Sequence, residues 1–147
     1  KYVHLGFNKG SFLYGLEAVP KKAEELWVAE GQLDAVALDQ MGLPKGFAVS
    51  TLGARVTDKQ VQLLGRYPRV ILAFDNDFDG IQATLKTGNG LIGSKAEEIL
   101  VASAYPPGIK DPADLLRRPR EDQNTFLTTL KPYELWAVET LLTLATG

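Results

Sequence analysis

The 147-residue sequence contains no cysteine and only one histidine, His4. Without cysteine, disulfide bonds, thiolate zinc sites and cysteine nucleophiles are all excluded within this chain. His4 is far along the sequence from any cluster of acidic residues, so a zinc site built on histidine is not expected either. Any metal site in this chain would therefore be built from oxygen ligands.

The sequence also lacks long apolar runs and a strong excess of either charge. No apolar run approaches the roughly 20 residues that a membrane span requires, and no signal peptide opens the chain. The net charge of −2 argues against a strongly basic, self-sufficient nucleic-acid binder. With 45% hydrophobic and 23% charged residues, we expect a globular, cytoplasmic protein that does not associate with membranes.

Short apolar runs alternate with segments of helical periodicity. Strands are expected at 26–29, 47–50, 69–74 and 98–104, and helices at 20–25, 33–41, 57–67, 80–85, 112–118, 121–130 and 134–144. Glycines at 88, 90 and 93 argue against a longer helix after residue 85. Because the strands are continuously apolar, they predict a parallel sheet covered on both faces. The fold class is therefore α/β, with an all-helical C-terminal tail.

Acidic residues follow three of the four expected strands. Glu30 comes directly after the first strand, Asp75 and Asp77 end the third, and Asp111 lies beyond the fourth. The second strand ends without a carboxylate. Because parallel α/β sheets bind ligands at the carboxyl ends of their strands, these acids are expected to converge at one edge.

Clustered carboxylates repel one another unless a cation or protons neutralise them. All-oxygen ligation favours Mg²⁺ or Mn²⁺, and such an ion keeps positions open for phosphates, which indicates phosphoryl or nucleotidyl transfer. Each acid also has a purely structural interpretation. Asp-x-Asp can form a turn or a helix cap, Asp34 can be an exposed first-turn acid, and Asp111 before Pro112 matches a helix N-cap. Their placement at successive strand ends favours the metal site.

Four segments together resemble the TOPRIM domain of bacterial DnaG-type and phage DNA primases. Residues 28–38 (VAEGQLDAVAL) are similar to the primase pattern V-x-E-G-x-x-D-x-x-A-L, and residues 70–80 (VILAFDNDFDG) to V-I-L-x-F-D-x-D-x-A-G. Residues 48–53 (AVSTLG) resemble A-V-A-x-L-G, and residues 110–116 (KDPADLL) resemble the K-D-P ending. The lead-in at 12–16 (FLYGL) is similar to the family's F-x-L-Y-G-L. The resemblance covers about the first 118 residues.

The resemblance implies a Rossmann-like TOPRIM sheet and distinct roles for the acidic residues. Glu30, Asp75 and Asp77 would be the catalytic core and would bind the metal, with Asp34 and Asp111 as supporting ligands. Lys110 would contact nucleotide phosphates. The implied reaction is synthesis of RNA primers from nucleoside triphosphates on single-stranded DNA, with a replicative helicase or further primase domains as partners.

The same resemblance divides the chain into three parts. Residues 1–25 would be a lead-in from the primase N-terminal subdomain, 26–118 the TOPRIM domain, and 119–147 a helical segment. The zinc-binding domain and most of the basic N-terminal subdomain have no counterpart here, so metal binding is expected of this chain even if it fails to make primers alone. Two alternatives stay open: a TOPRIM nuclease or topoisomerase fragment that cleaves DNA, and a non-catalytic scaffold for nucleic acid.

Two positions depart from the primase pattern. Asp79 stands where the family more often has alanine, which adds an acid beside the Asp75/Asp77 pair. Asp114 follows Asp111 by three residues, whereas many bacterial primases have the second acid after two. A ligand role for Asp114 is therefore not expected.

Overall fold

The computed structural model describes residues 8–43 and 46–147. The strands are β1 (Glu25–Ala29), β2 (Gly46–Ser50), β3 (Arg69–Leu72), β4 (Glu98–Ala102) and β5 (Leu130–Pro132). The α-helices are α1 (Gln32–Met41), α2 (Asp58–Leu64), α3 (Phe78–Leu91), α4 (Pro112–Leu115), α5 (Arg120–Thr128) and α6 (Tyr133–Thr146). Two short 3₁₀ segments, Lys9–Ser11 and Leu16–Ala18, precede β1. The expectation for His4 falls outside the described residues.

The five strands form one sheet in the order β2-β1-β3-β4-β5. The first four are parallel, and β5 pairs antiparallel with β4. Neighbouring residues of β1 show how the sheet is covered. Leu26 packs into the core beneath α2, α3 and α6, whereas Trp27 packs into the core beneath α1, α4 and α5. The sheet is therefore buried on both faces, as the continuously apolar strands predict.

Two helix ends show how local residues set the boundaries of α1 and α2. Gly42 ends α1 in the left-handed conformation, with φ 85°, which glycine adopts without the steric cost that other residues meet. At the start of α2, the Thr57 side chain accepts a hydrogen bond from the Gln60 N–H, and the Gln60 side chain accepts one from the Thr57 N–H. These reciprocal hydrogen bonds form a capping box, which begins the helix that the sequence predicts from residue 57.

Helix α3 is longer than the sequence predicts, because it continues through Gly88 and Gly90 to Leu91. Because glycine has no side chain, residues of other helices pack directly against α3 at these two positions. A Cβ at position 88 would overlap the ring of Tyr133, and one at position 90 would lie 2.8 Å from Val61 Cγ1. Close packing against α6 and α2 therefore offsets the poor helix propensity of glycine.

Two other expectations are wrong. Residues 20–25 do not form the expected helix: 20–23 form a turn, closed by a 3.0 Å hydrogen bond from the Ala23 N–H to the Pro20 carbonyl, and β1 begins at Glu25. The tail is not all-helical, because β5 lies between α5 and α6 and pairs with the otherwise unpaired edge of β4. Within the described ranges, no helix combines the length and apolar character that a bilayer span requires.

Candidate metal centre

Three aspartates from distant parts of the chain meet at the carboxyl end of the sheet. Asp34 lies in the first turn of α1, Asp75 follows β3, and Asp111 caps α4. One carboxylate oxygen from each lies within 4.8 Å of the other two. Among the described residues this is the one group of three or more acids or histidines with such spacing. The structure thus brings together three of the five acids that the sequence predicts as metal ligands.

Asp34 is not the exposed first-turn acid of the alternative interpretation, since it is only 7% exposed. Its Oδ2 accepts a hydrogen bond from the Gly31 N–H at 3.3 Å, and its Oδ1 accepts one from the Ala113 N–H at 3.1 Å. Burial is the main cause of the raised pKa of its carboxyl group, and the nearby charge of Asp111 adds to it. Asp34 therefore connects the loop after β1 with the start of α4.

Glu30 and Asp75 each hold a buried carboxylate oxygen without a hydrogen-bond partner among the described residues. Burial, reinforced first by the charge of Glu30, raises the pKa of Asp75 from 3.8 to about 7. Burial and the charge of Asp77 raise the pKa of Glu30. Buried oxygen atoms without a donor cost free energy, and a bound cation would remove that cost.

Asp77 lies beside this group and contributes to the fold as well. Its Oδ1 accepts a 2.8 Å hydrogen bond from the Gly80 N–H and so caps α3. Its Oδ2 lies 3.2 Å from the Lys110 ammonium nitrogen. The hydrogen bond to Asp77 is the main cause of the raised pKa of Lys110. Lys110 therefore places one exposed positive charge at the edge of the acidic cluster.

Asp111 is both the N-cap of α4 and a member of the acidic group. Its Oδ1 accepts a 2.8 Å hydrogen bond from the Asp114 N–H, and Pro112 follows in the first turn of α4. It also belongs to the close group with Asp34 and Asp75. Asp79 and Asp114 lie in first turns of helices and are not members of that group.

The loop after β2 supports Glu30, although it carries no acid of its own. The Ser50 hydroxyl and the Gly53 N–H both donate to the Glu30 carbonyl, each at 2.9 Å. Between them, Leu52 adopts φ 59°, a conformation that is uncommon for a residue other than glycine. The resemblance includes this segment as 48–53, but only the structure shows that it holds the backbone of Glu30.

Gly80 and Tyr105 also shape the site, and no sequence argument assigns them that role. A Cβ at position 80 would overlap the carbonyl oxygen of Asp75, so α3 can begin this close to Asp75 only with glycine there. The Tyr105 hydroxyl donates to the Phe74 carbonyl at 2.9 Å. Burial, and next the charge of Asp75, raise the pKa of Tyr105 well above 10.0. Tyr105 has no motif around it that could have revealed this position.

The residues present fit a hard divalent cation. All the donors are carboxylate oxygens, three of them lie close together, and two buried oxygens have no other partner. A parallel sheet with such a group at its carboxyl edge defines a class of metal-dependent α/β domains.

Comparison with known proteins identifies the family. Residues 27–116 match the family described as Toprim-like. The chain belongs to that family. A DNA primase of Deinococcus radiodurans is 38% identical over 115 residues, which cover 75% of this chain and 19% of that protein. The family and fold predictions are thereby confirmed.

Solved structures agree with this assignment. A DNA primase domain from Pseudomonas aeruginosa superposes with a TM-score of 0.73 at 27% identity, over 93% of this chain and 44% of that one. A DnaG primase catalytic domain bound to single-stranded DNA gives a TM-score of 0.71 at 29% identity, with the same coverage of 93% and 44%. The chain spans about a fifth of the length of the curated relatives it matches.

Proposed function

We propose that this chain is the catalytic TOPRIM part of a DNA primase, which makes RNA primers by metal-dependent nucleotidyl transfer on single-stranded DNA. The observation that carries the proposal is the convergence of Asp34, Asp75 and Asp111 within 4.8 Å at the carboxyl edge of the sheet. The similarity to DNA primases supports priming over other metal-dependent reactions.

The metal is Mg²⁺ or Mn²⁺, and five acids hold it or assist. Asp75 is central, because it belongs to the close group and has a buried oxygen without a partner. Glu30 and Asp77 complete the catalytic set with Asp75, and Asp34 and Asp111 are supporting ligands. When bound, the cation would polarise a phosphate group and stabilise the charge that develops during nucleotidyl transfer.

Asp34, Asp77 and Asp111 each use oxygen atoms in hydrogen bonds to backbone N–H groups. This use is compatible with metal binding, because a carboxylate offers about four lone-pair sites. A backbone hydrogen bond also orients the carboxylate before the metal arrives, which preorganises the site.

Lys110 is the proposed phosphate contact. Its ammonium group is exposed and lies 3.2 Å from Asp77 Oδ2, so a phosphate bound at the metal would approach it directly.

The proposal divides the chain into a lead-in (1–25), the TOPRIM domain (26–118) and a C-terminal segment (119–147). The template is single-stranded DNA, nucleoside triphosphates are the substrates, and a replicative helicase or further primase domains are the partners, all in the cytoplasm.

The test compares Asp75→Asn with Asp58→Asn in the 147-residue chain. Asp58 is a matched control, because its carboxylate is 93% exposed in the first turn of α2, where it pairs with Lys86. Calorimetric titration with Mg²⁺ or Mn²⁺ is expected to show binding by the wild type and by Asp58→Asn, and none by Asp75→Asn. Incubation with ribonucleotides and single-stranded DNA, of the chain or of a longer protein that contains it, is then expected to give oligoribonucleotides, and Asp75→Asn is expected to abolish them.

Two outcomes would overturn priming in favour of an alternative. DNA strands cut in a manner that depends on Asp75 would assign the site to a nuclease or topoisomerase reaction. No metal binding and no product would assign the chain to a non-catalytic scaffold.

A further inference from the structure

The peptide group between Glu30 and Gly31 is held by hydrogen bonds at both of its ends. Its carbonyl oxygen accepts the Ser50 hydroxyl and the Gly53 N–H, each at 2.9 Å. Its N–H, which belongs to Gly31, donates to Asp34 Oδ2 at 3.3 Å. Because a peptide group is planar and rigid, this one unit joins two of the acids that the sequence predicts as metal ligands.

Ser50 supplies the side-chain donor of this arrangement. It is fully buried, and its hydroxyl also accepts the Leu52 N–H at 2.9 Å. The Ser50 backbone is fixed on both sides, since it pairs with Ala29 of β1 and exchanges hydrogen bonds of 2.9 and 3.1 Å with Tyr14. The hydroxyl therefore has a defined position, from which it reaches the Glu30 carbonyl.

The turn that follows Ser50 depends on the same hydroxyl. Leu52 adopts φ 59°, a left-handed conformation that is costly for a residue with a Cβ. The hydrogen bond from its N–H to Ser50 Oγ stabilises that conformation, and the turn then directs the Gly53 N–H to the Glu30 carbonyl. Strained backbone of this kind is concentrated at functional sites. Ser50 thus acts on the Glu30 carbonyl directly and through the turn.

We propose that Ser50 is a positioning residue for the metal centre, because it fixes the peptide plane that sets the places of Glu30 and Asp34 together. The inference rests on the proposed function, which supplies the cation that these carboxylates would hold. Two donors on a carbonyl oxygen polarise the peptide group and strengthen the hydrogen bond that its N–H donates. Loss of the Ser50 hydroxyl is therefore expected to loosen both acids, although that hydroxyl bonds to backbone atoms.

Ser94 provides a matched control. Its hydroxyl donates to the Leu91 carbonyl at 2.6 Å and accepts the N–H of Ala96, two residues further on, at 3.1 Å. Ser50 forms the same pair of bonds, one to a carbonyl and one from the residue two positions later. Ser94 lies between α3 and the start of β4, hence at the opposite edge of the sheet from the acidic group. Ser94→Ala removes the same bonds outside the site.

Calorimetric titration of the 147-residue chain with Mg²⁺ compares the wild type, Ser50→Ala and Ser94→Ala. Ser50→Ala is expected to weaken binding by about tenfold, the lower end of the loss that follows removal of a group that orients a metal ligand. Ser94→Ala is expected to bind Mg²⁺ as the wild type does. Equal affinity in Ser50→Ala and the wild type would overturn the inference and leave the primase proposal intact. Failure of the wild type to bind Mg²⁺ would overturn the proposed metal site, and this inference with it.

Amide hydrogen exchange, followed by NMR in EDTA, tests the peptide plane without a metal. The Gly31 N–H is expected to be protected in the wild type and in Ser94→Ala, and to exchange about tenfold faster in Ser50→Ala, together with the Leu52 and Gly53 amides. A general loss of stability would instead speed exchange throughout the sheet. Uniform acceleration in Ser50→Ala, or unchanged protection of Gly31, would overturn the inference. An unprotected Gly31 N–H in the wild type would overturn it whether or not Ser50→Ala folds.

Discussion

The Oδ1 atom of Asp34 accepts a 3.1 Å hydrogen bond from the backbone N–H of Ala113, 79 residues further along the chain. Oδ2 of the same carboxylate accepts the Gly31 N–H. One buried side chain therefore sets the distance between the loop after β1 and the start of α4, where Asp111 lies. The geometry of the proposed metal centre therefore depends on this contact as well as on the acids that would touch the ion.

Asp34→Ala should accordingly weaken both the fold and the metal site. Two N–H groups lose their acceptor, which is expected to lower the free energy of unfolding by about 1–3 kcal/mol. Mg²⁺ affinity should fall because the site loses one proposed ligand and because Asp111 loses its fixed position. Chemical denaturation in EDTA at pH 5 and Mg²⁺ titration would measure the two effects. Asp58→Ala, the exposed control, should change neither, and unaltered Mg²⁺ affinity in Asp34→Ala would contradict the proposed coupling.

The raised pKa of Asp75 predicts how stability depends on pH in the absence of metal. The folded protein binds this proton more tightly than the unfolded chain does, since the pKa rises from 3.8 to about 7. The resulting stabilisation is complete below about pH 4 and is lost as the pH rises through 7. Asp75→Asn cannot ionise, so in EDTA it should become more stable than the wild type as the pH rises from 5 to 8.

Thermal melting of both proteins across that pH range would measure the difference. Adding Mg²⁺ at pH 8 should raise the Tm of the wild type and leave that of Asp75→Asn unchanged, because the ligand stabilises only the protein that binds it. A difference between the two proteins that stays constant from pH 5 to 8 in EDTA would show that Asp75 does not titrate in this range.

Gly80→Ala should disturb the site because the new methyl group would overlap the Asp75 carbonyl oxygen. Overpacking costs about 1–3 kcal/mol, and more where a backbone atom must move. The matched control is Gly90→Ala in the same helix, where the nearest neighbour is a Val61 methyl group at 2.8 Å. A side-chain methyl group can shift where a backbone carbonyl cannot, and alanine has the better helix propensity, so Gly90→Ala should lose less stability than Gly80→Ala. Denaturation and Mg²⁺ titration should separate the two variants, and equal loss in both would contradict the assignment.

Gln60 connects the lead-in segment to the loop that supports Glu30. It is fully buried, and its Nε2 donates to the carbonyl groups of Lys9, Phe12 and Thr51 at 3.2, 3.1 and 2.9 Å. Gln60→Ala removes the donor to the Lys9 and Thr51 carbonyl groups and the acceptor of the Thr57 N–H, at an expected cost of about 1–3 kcal/mol. Gln62→Ala, an exposed position of the same helix, should be close to neutral. Hydrogen exchange should also become faster at Thr51 in Gln60→Ala alone.

The four parallel strands and most helices could be predicted because their signals are local. Apolar runs, the Thr57 capping box and the glycine at position 42 act within a few residues of the element they define. Strand β5 could not be predicted, since its three residues, Leu130–Pro132, acquire strand structure only by pairing with β4. The extension of α3 through Gly88 likewise depends on Tyr133, which lies far along the chain.

For the site, the sequence alone determined which acids lie near the strand ends. It also determined that the chain has no cysteine and no histidine close in sequence to those acids that could bind a metal. It could not determine which of them meet. Asp34, Asp75 and Asp111 form the close group, whereas Asp77 lies beside it and bonds to Gly80 and Lys110. That selection and the burial that raises the pKa of Asp75 arise only from packing. Each depends on contacts between residues from separate helices and strands, and no local pattern encodes such distances.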